Sequence, residues 1–452
     1  MDFAKRASDH LHYDIDPIVR SRMDTDFYKI LMRQVIASRH PLAQVRIALK
    51  NRTSDVRLAD FVPIEAMRAQ LDHAQKLRYK PNELIWLKGN SFYGEDDIFK
   101  PGFIDTLRRS QLPDYELTID KESGQFVFET EGNWGDVSDW EIHALSIVNE
   151  MRNRAVMAAM APYELDIMYA RAKAKLAAKL ERLKEHPEIT ISDFGTRRRH
   201  GFLWQRWCID LVADMLGKQY VGTSNAYMAM ETGCDAKGTN AHELAMVYAA
   251  LAAATGDDEK ADQAIRDSQY VVLKDWQNEY HDRLRVMLPD AYGTSQFLEN
   301  APNWVQWWTG ARPDSKEPVE AGEELIAFWK KVGQDPAKKL TIFSDGMDVR
   351  IPGYEPNGTD IIEVHEHFKG RTIDTYGWGT SLTNDFRGCT MGNGDLLKPL
   401  SLVCKVHSVN GHPAVKLSDN PSKASSPSAA EIDRYKRVFG VAGIGEARAT
   451  LV

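Results

Sequence analysis

Cysteine is scarce: 452 residues carry four, and Cys208, Cys234, Cys389 and Cys404 stand far apart with no CxxC pair. That spacing excludes a disulfide framework and a zinc module of paired cysteines, and it fits a reducing cytoplasm. No stretch approaches the roughly 20 apolar residues that a membrane helix needs. The opening segment, Met1 to Ile18, mixes Lys5, Arg6, Asp9, His10 and Asp14 with few apolar side chains, so no signal-peptide core is expected there. Surplus positive charge is missing as well. With a formal net charge of -8, nothing attracts nucleic acid or an anionic membrane in bulk, and an anionic ligand must be held by a local basic site. Two phosphate-binding patterns are also absent, GxxxxGK(S/T) and a GxGxxG that opens a helix after a strand. A nucleotide needs a pocket of another kind.

What is present suffices for a sizeable core: 43% apolar and 27% charged residues in a length that suggests two domains. Phe27, Ile30, Leu31 and Val35 recur at helical spacing over 24–38, behind Asp24 or Thr25 as cap, and Val45, Ile47 and Leu49 alternate as a strand. Alternation at Tyr115, Leu117 and Ile119, a Glu-Ser-Gly turn, and alternation again at Phe126 and Phe128 predict a hairpin. Helices over about 137–160 and 163–186 lead out of this first domain. From residue 188 short apolar runs at 189–192, 219–221, 285–288, 340–343 and 372–375 alternate with helical stretches, the βαβ rhythm of a parallel sheet or barrel. Past about 398, runs at 401–407 and 414–417 flank Asn410-Gly411 as a second hairpin, which has no helical partner and is expected to return to the first domain. The Ser/Pro-rich stretch Lys416 to Ala429 reads as mobile.

Several runs end in Gly-Thr, at Gly195, Gly222, Gly238, Gly293 and Gly379, and Thr309-Gly310-Ala311 is close to it. A glycine at a strand end lets backbone approach a ligand, and the next Thr adds an amide and a hydroxyl for a phosphate. Asp193-Phe-Gly-Thr-Arg-Arg-Arg-His200 places Arg197, Arg198 and Arg199 in what reads as the first turn of a helix, where cations oppose the helix dipole unless an anion binds. Gly238-Thr-Asn-Ala-His-Glu243 sets His242 at the start of a very apolar helix. A neutral imidazole acting as nucleophile needs an acceptor on its far nitrogen, and Glu243, as a helical neighbour, cannot face it, so the acid must come from elsewhere. Arg312-Pro-Asp314 offers a bidentate donor and a carboxylate able to grip two ribose hydroxyls. Ser344-Asp345-Gly346 and Gly377-Trp-Gly-Thr-Ser381 add anion nests. His365-Glu-His367 looks like a metal tripeptide, but with no third ligand in view it reads as surface.

In this order the segments Asp24-Thr-Asp-Phe-Tyr-Lys29, Asp193-Phe-Gly-Thr-Arg-Arg198, Gly222-Thr-Ser-Asn225, Gly238-Thr-Asn-Ala-His-Glu243, Tyr292-Gly-Thr-Ser295, Arg312-Pro-Asp-Ser315, Ser344-Asp-Gly346 and Gly377-Trp-Gly-Thr380 resemble the nicotinate phosphoribosyltransferase family. The resemblance implies an α/β fold: an irregular α/β barrel over 188–398 and a second α+β domain built from both chain ends, 1–187 and 399–452. It implies the joining of nicotinate to phosphoribosyl pyrophosphate, coupled to ATP through an autophosphorylated histidine, with Mg²⁺ as cofactor, in a homodimer with shared sites. It makes His242 the phosphorylated residue, Phe194 and a neighbour's Tyr28 the two covers of the pyridine ring, and Thr239 and Arg312 part of the nicotinate pocket. Arg197 goes to substrate and phosphate, Asp314 to the ribose hydroxyls, Gly379 and Thr380 to the 5′-phosphate, and Asp345 to the substrate site. Relatives that use nicotinamide carry an Asp where this chain has Ser224, and a carboxylate there repels nicotinate, so the acid is the expected substrate. Where many relatives have Asp-Ser-Gly-Asp after the Arg, this chain reads Pro-Asp-Ser-Lys, which leaves the metal contacts of that turn unassigned.

Overall fold

The computed structural model describes residues 14–392 and 395–446, so most of the charged opening segment lies outside the described residues. Among the described residues, no helix is long and apolar enough to cross a membrane. Three antiparallel strands come first, β1 (Gln44–Asn51), β2 (Tyr115–Asp120) and β3 (Gln125–Asn133). The strands of the second half follow: β4 (Ile191–Asp193), β5 (Tyr220–Thr223), β6 (Val286–Met287), β7 (Gly310–Ala311), β8 (Leu340–Phe343), the short β9 (Met347–Asp348) and β10 (Thr359–Asp360), and β11 (Ile373–Trp378). The last are β12 (Leu402–Val409) and β13 (His412–Pro413).

The first sheet has the order β13-β12-β1-β3-β2, with β12 paired antiparallel to β1 from Val45↔Val409 to Asn51↔Leu402. The C-terminal return to the first domain is thus made through one long strand. Asn410 and Gly411 both take positive φ, 47° and 84°, as a tight hairpin turn requires. Only His412–Pro413 pairs as a strand on the far side, Ala414 N makes a last bond to His407 O at 2.9 Å, and the chain then leaves the sheet, with Leu417 N donating to Ala291 O. The expected strand over 414–417 is therefore absent. Helix Phe27–Arg39 lies in the shared core, against helices Trp134–Val137 and Glu259–Glu279. Its N-cap is Asp26, without a side-chain cap bond, whereas Asp24 takes both terminal nitrogens of Arg199 at 2.7 and 2.8 Å. A buried bidentate ion pair has won over the capping role that local sequence suggested.

The second sheet is all parallel, ordered β5-β4-β11-β8-β7-β6. Read around a ring, β6, β7, β8, β11, β4 and β5 keep the cyclic order of the chain, the topology of a barrel. The ring is open between β5 and β6, where residues 237–241 run outside any strand. Helix Pro162–Lys184 buries Met168, Leu176 and Leu180 with Ile189, Ile191 and Cys208, so it belongs to the barrel's outer layer. Some strand-end glycines are fixed by packing: a Cβ on Gly195 would meet Thr383 Oγ1 at 2.0 Å, and one on Gly310 would meet Leu340 O at 2.0 Å.

Candidate active site

The C-terminal ends of β4, β7, β8 and β11 converge on a cavity of about 200 Å³, and the facing wall is the first domain's β1 and β12. Barrel strand ends supply Phe194, Arg197, Arg312, Asp314, Asp345, Gly379 and Thr380 to its lining, while the start of helix His242–Ala253 supplies His242. Eight of the residues expected from sequence therefore share one wall-bounded space, at the face where parallel barrels place their chemistry.

His242 Nε2 lies 2.8 Å from Asp290 Oδ1, and Asp290 is fully buried. Ser315 Oγ donates to the other oxygen of Asp290 at 2.7 Å, and Lys416 Nζ stands 4.0 Å from it. Burial alone would raise the Asp290 pKa, but His242 and Lys416 outweigh it and hold the group ionised. Burial pushes the His242 imidazole down, toward its neutral form. An ionised carboxylate only accepts, so Nε2 carries the proton and Nδ1 keeps a free lone pair on the side of Asp314, whose Oδ2 is 3.8 Å away. Glu243 points elsewhere, accepting from Lys29 Nζ at 2.5 Å and Trp134 Nε1 at 2.7 Å. The orienting acid does come from another segment, as the helical geometry demanded.

Around this pair the cavity is crowded with cations. Arg312 donates to Asn240 O at 2.8 Å and lies 3.5 Å from Asp314 Oδ1. Burial would raise Asp314, yet Arg312 and His242 hold it at about 2. From the facing wall come Arg52 after β1 and Lys405 on β12, and from the segment after β13 come Lys416 and Lys423. Burial and then mutual repulsion push Lys405 well below its ordinary value, burial is the first cause of the lowering at Arg52 and Lys416, and burial beside Arg197 pushes Arg198 down to about 10. Cations packed this closely are stable only beside negative charge, so the cavity suits a polyanion. Lys423 Nζ bonds Asp345 Oδ2 at 2.6 Å and Asp314 O at 2.9 Å, joining the two carboxylate-bearing strand ends.

The sequence reading missed Asp290, Arg52, Lys405, Lys416 and Lys423. Lys405 had a visible signal, a cation inside the apolar run Leu402-Val-Cys-Lys-Val406. Lys416 and Lys423 were hidden by composition: the stretch read as mobile is packed, with Lys416, Ser418, Asp419, Asn420 and Lys423 all buried, and it continues into helix Ala429–Phe439. The three arginines also differ from expectation. Arg197 and Arg198 sit on a separate turn, Thr196–Arg198, before a helix that starts at Phe202, and Arg199, just after the turn, faces Asp24 rather than the cavity.

Three expected residues stand off the cavity wall. Ser224 is fully buried, donating through Oγ to Asp26 Oδ1 at 2.7 Å, and Asp26 is 3.7 Å from Arg197. Thr239 is buried beside Gly238, whose backbone exchanges hydrogen bonds with Tyr93 Oη. Tyr28 is buried within its own chain in the field of Arg197, Asp26 and Glu141, and burial pushes its phenol well above the ordinary value. His365 is also buried, 4% exposed and bonded to Asp374, so the His365-Glu-His367 run is not simply surface.

Residues 189–442 match the nicotinate phosphoribosyltransferase (NAPRTase) family, and residues 23–149 match the nicotinate phosphoribosyltransferase (NAPRTase) N-terminal domain. Among solved structures, the nicotinate phosphoribosyltransferase of Porphyromonas gingivalis is 25% identical, with a TM-score of 0.79 over 94% of this chain and 100% of its own. That of Vibrio cholerae is 28% identical, with a TM-score of 0.78 over 94% of each chain. The family pattern covers the barrel and the first domain alike, and the cavity lies between them: the chain belongs to the nicotinate phosphoribosyltransferase family, whose reaction is the conversion of nicotinate to nicotinate mononucleotide in NAD synthesis.

Proposed function

We propose that this chain joins nicotinate to phosphoribosyl pyrophosphate and couples the synthesis to ATP hydrolysis through phosphorylation of His242. The observation that carries the proposal is the buried Asp290 on His242 Nε2, which leaves Nδ1 as a neutral nucleophile toward the cavity. Phosphoryl transfer from ATP to Nδ1 releases ADP, and water later removes the phosphate. While it is present, the phosphohistidine adds an anion beside Arg312, Lys416 and Lys423, and so orders the side chains that hold pyrophosphate.

In the synthetic step the pyridine nitrogen gives its lone pair to ribose C1 as the bond from C1 to the pyrophosphate oxygen breaks, and pyrophosphate leaves with that electron pair. No general base is needed, because nicotinate brings its own lone pair. The protein's work is positioning and charge stabilisation. Phe194 packs on the pyridine face, Arg312 and Arg197 hold its carboxylate and the phosphates, Asp314 accepts from the ribose hydroxyls, and Gly379 with Thr380 holds the 5′-phosphate. Arg52, Lys405, Lys416 and Lys423 take up charge on the departing pyrophosphate. Asp314 and Asp345, both partly exposed at the cavity, supply the hard oxygen donors that suit Mg²⁺, which when bound neutralises the pyrophosphate. We further propose a homodimer in which a neighbour's Tyr28 covers the second pyridine face.

One assay tests substrate, reaction and coupling together: labelled nicotinate, phosphoribosyl pyrophosphate and Mg²⁺, with and without ATP, on the parent and on His242→Asn. The parent should form acid-labile phosphoprotein and respond to ATP. The variant should fold, lose both properties and keep a weak ATP-independent synthesis. If His242→Asn still forms phosphohistidine and ATP still stimulates it, the coupling role of His242 is wrong.

A further inference from the structure

On the barrel face opposite the cavity, at the N-terminal ends of the adjacent strands β4 and β11, two segments bring together His186, Glu188, His365 and Glu366. His186, Glu188 and Glu366 offer ligand atoms that all lie within 4.8 Å of one another. His186 Nδ1 is 3.5 Å from Glu366 Oε1, and His365 Nε2 is 3.5 Å from Glu188 Oε1. Charge-assisted N–H···O⁻ bonds settle at roughly 2.7–2.9 Å, as His365 Nδ1 does on Asp374 Oδ2 at 2.7 Å. The longer separations have a different geometric meaning. A tetrahedral ion with bonds of about 2.1 Å sets its ligands about 3.4 Å apart.

His365 is the independent sign of a ligand. It is 4% exposed, and its Nε2 makes no hydrogen bond. Asp374 accepts from Nδ1 and, through the same oxygen, from Tyr376 Oη at 2.7 Å, which fixes the ring and the tautomer. With the proton on Nδ1, the Nε2 lone pair faces a carboxylate oxygen with no hydrogen between them. A carboxylate that orients the far nitrogen of an imidazole is the usual support of a metal-bound histidine. We infer that this cluster is a site for Zn²⁺ or a similar first-row divalent ion, held by His186, Glu188 and Glu366, with His365 Nε2, 3.5 Å from Glu188, drawn in as the fourth ligand when the shell contracts around the ion. Two imidazoles and two carboxylates suit such an ion and disfavour Mg²⁺ or Ca²⁺. His367 takes no part, since it is bonded to Glu323 at 2.7 Å.

Lys369 occupies the position of the missing charge. Its ammonium bonds Glu188 and stands 3.9 Å from Glu366, but its side chain is 54% exposed and can swing into water as an ion enters. The bound ion would tie the run into β4 to helix Ile361–Phe368 before β11, a clamp across two strands that pair in register.

The test uses the full chain, stripped with a chelator and titrated with Zn²⁺ by calorimetry and by thermal melting. His242, Asp290 and Asp314 also place ligand atoms within 4.8 Å of one another, so the titration is made in a His242→Asn background that disables that second group. One Zn²⁺ per chain should bind and raise Tm. His186→Ala and Glu366→Gln, both at accessible side chains, should each weaken binding by about tenfold or more and remove the rise in Tm, while Glu363→Gln on the same helix should not. Lys369→Met should tighten Zn²⁺ binding by removing the competing ammonium. The inference fails if no Zn²⁺ binds in that background, or if His186→Ala and Glu366→Gln bind as tightly as their parent. It also fails if Lys369→Met lowers Tm without changing zinc affinity, because the cluster is then an ion-pair network alone.

Discussion

At the scale of single residues, the sequence argument rests the choice between nicotinate and its amide on Ser224, and a substitution there tests it. The charge argument from sequence needs Ser224 near the substrate's carboxylate, but the side chain is buried against Asp26, and Asp26 lies 3.7 Å from Arg197 on the cavity wall. Burial raises the Asp26 pKa. Ser224→Asp therefore sets a second carboxylate against the first, and added negative charge draws Arg197 away from the substrate. We expect the nicotinate-to-nicotinamide ratio of kcat/KM to fall about tenfold, equivalent to about 1.4 kcal/mol, with a stability loss on the order of 1–3 kcal/mol for the crowded buried acid. Kinetics with both substrates and a melting curve check this. An unchanged ratio in a folded variant would mean that discrimination lies elsewhere. The example also marks how far residues were legible. Arg312 and Asp314 could be found because their types have few uses at a strand end, and His242 because it opens a very apolar helix; the structure brings the three together. Asp290 could not, since only tertiary packing brings it to His242 across 48 positions.

At the scale of elements, periodicity located helix Phe27–Arg39, although Phe27 to Ile36 are buried all round rather than on one face, and the hairpin β2–β3, whose faces do alternate. Composition misjudged the arm after β13. Ser and Pro there act as local turn formers: Pro421 opens the short turn Pro421–Lys423, and the Asn420 side chain accepts from Ser422 N. Asp419 then fastens the arm by accepting from Thr294 N at 2.8 Å and Thr294 Oγ1 at 2.6 Å. So anchored, the arm delivers Lys423 between Asp345 and the Asp314 carbonyl. Lys423→Met should raise KM for phosphoribosyl pyrophosphate by about 10–100-fold, the value of one or two lost charge-assisted bonds. KM for nicotinate should stay within about twofold, because Lys423 contacts the phosphate side of the cavity in this reading. Equal changes in both constants, or in neither, would reduce the arm to packing.

The whole molecule was legible in outline because the βαβ rhythm implies a barrel and a strand without a partner must find one in another sheet. The opening of the ring between β5 and β6 was not, since a segment such as 237–241 betrays its lack of a ladder only in three dimensions. Assembly raises the further question of whose Tyr28 serves which site. In one chain this residue is already buried near Arg197, which favours a self-contained site; the family resemblance favours a shared one. Tyr28→Ala and Arg312→Ala should each be poorly active alone, and the two arrangements differ in what a mixture does. If subunits exchange at random, about half of the dimers carry one chain of each kind. In a shared arrangement each such dimer has one site built from the intact Arg312 of one chain and the intact Tyr28 of the other, so the mixture should recover about a quarter of parental activity. In a self-contained arrangement every site keeps one lesion, and nothing is recovered. Native mass spectrometry of isotopically labelled chains establishes exchange, and activity of the same sample decides. We expect the quarter, because the family resemblance implies that a neighbour's Tyr28 reaches the site, which requires that side chain to leave its place beside Asp26 and Glu141 when the dimer forms.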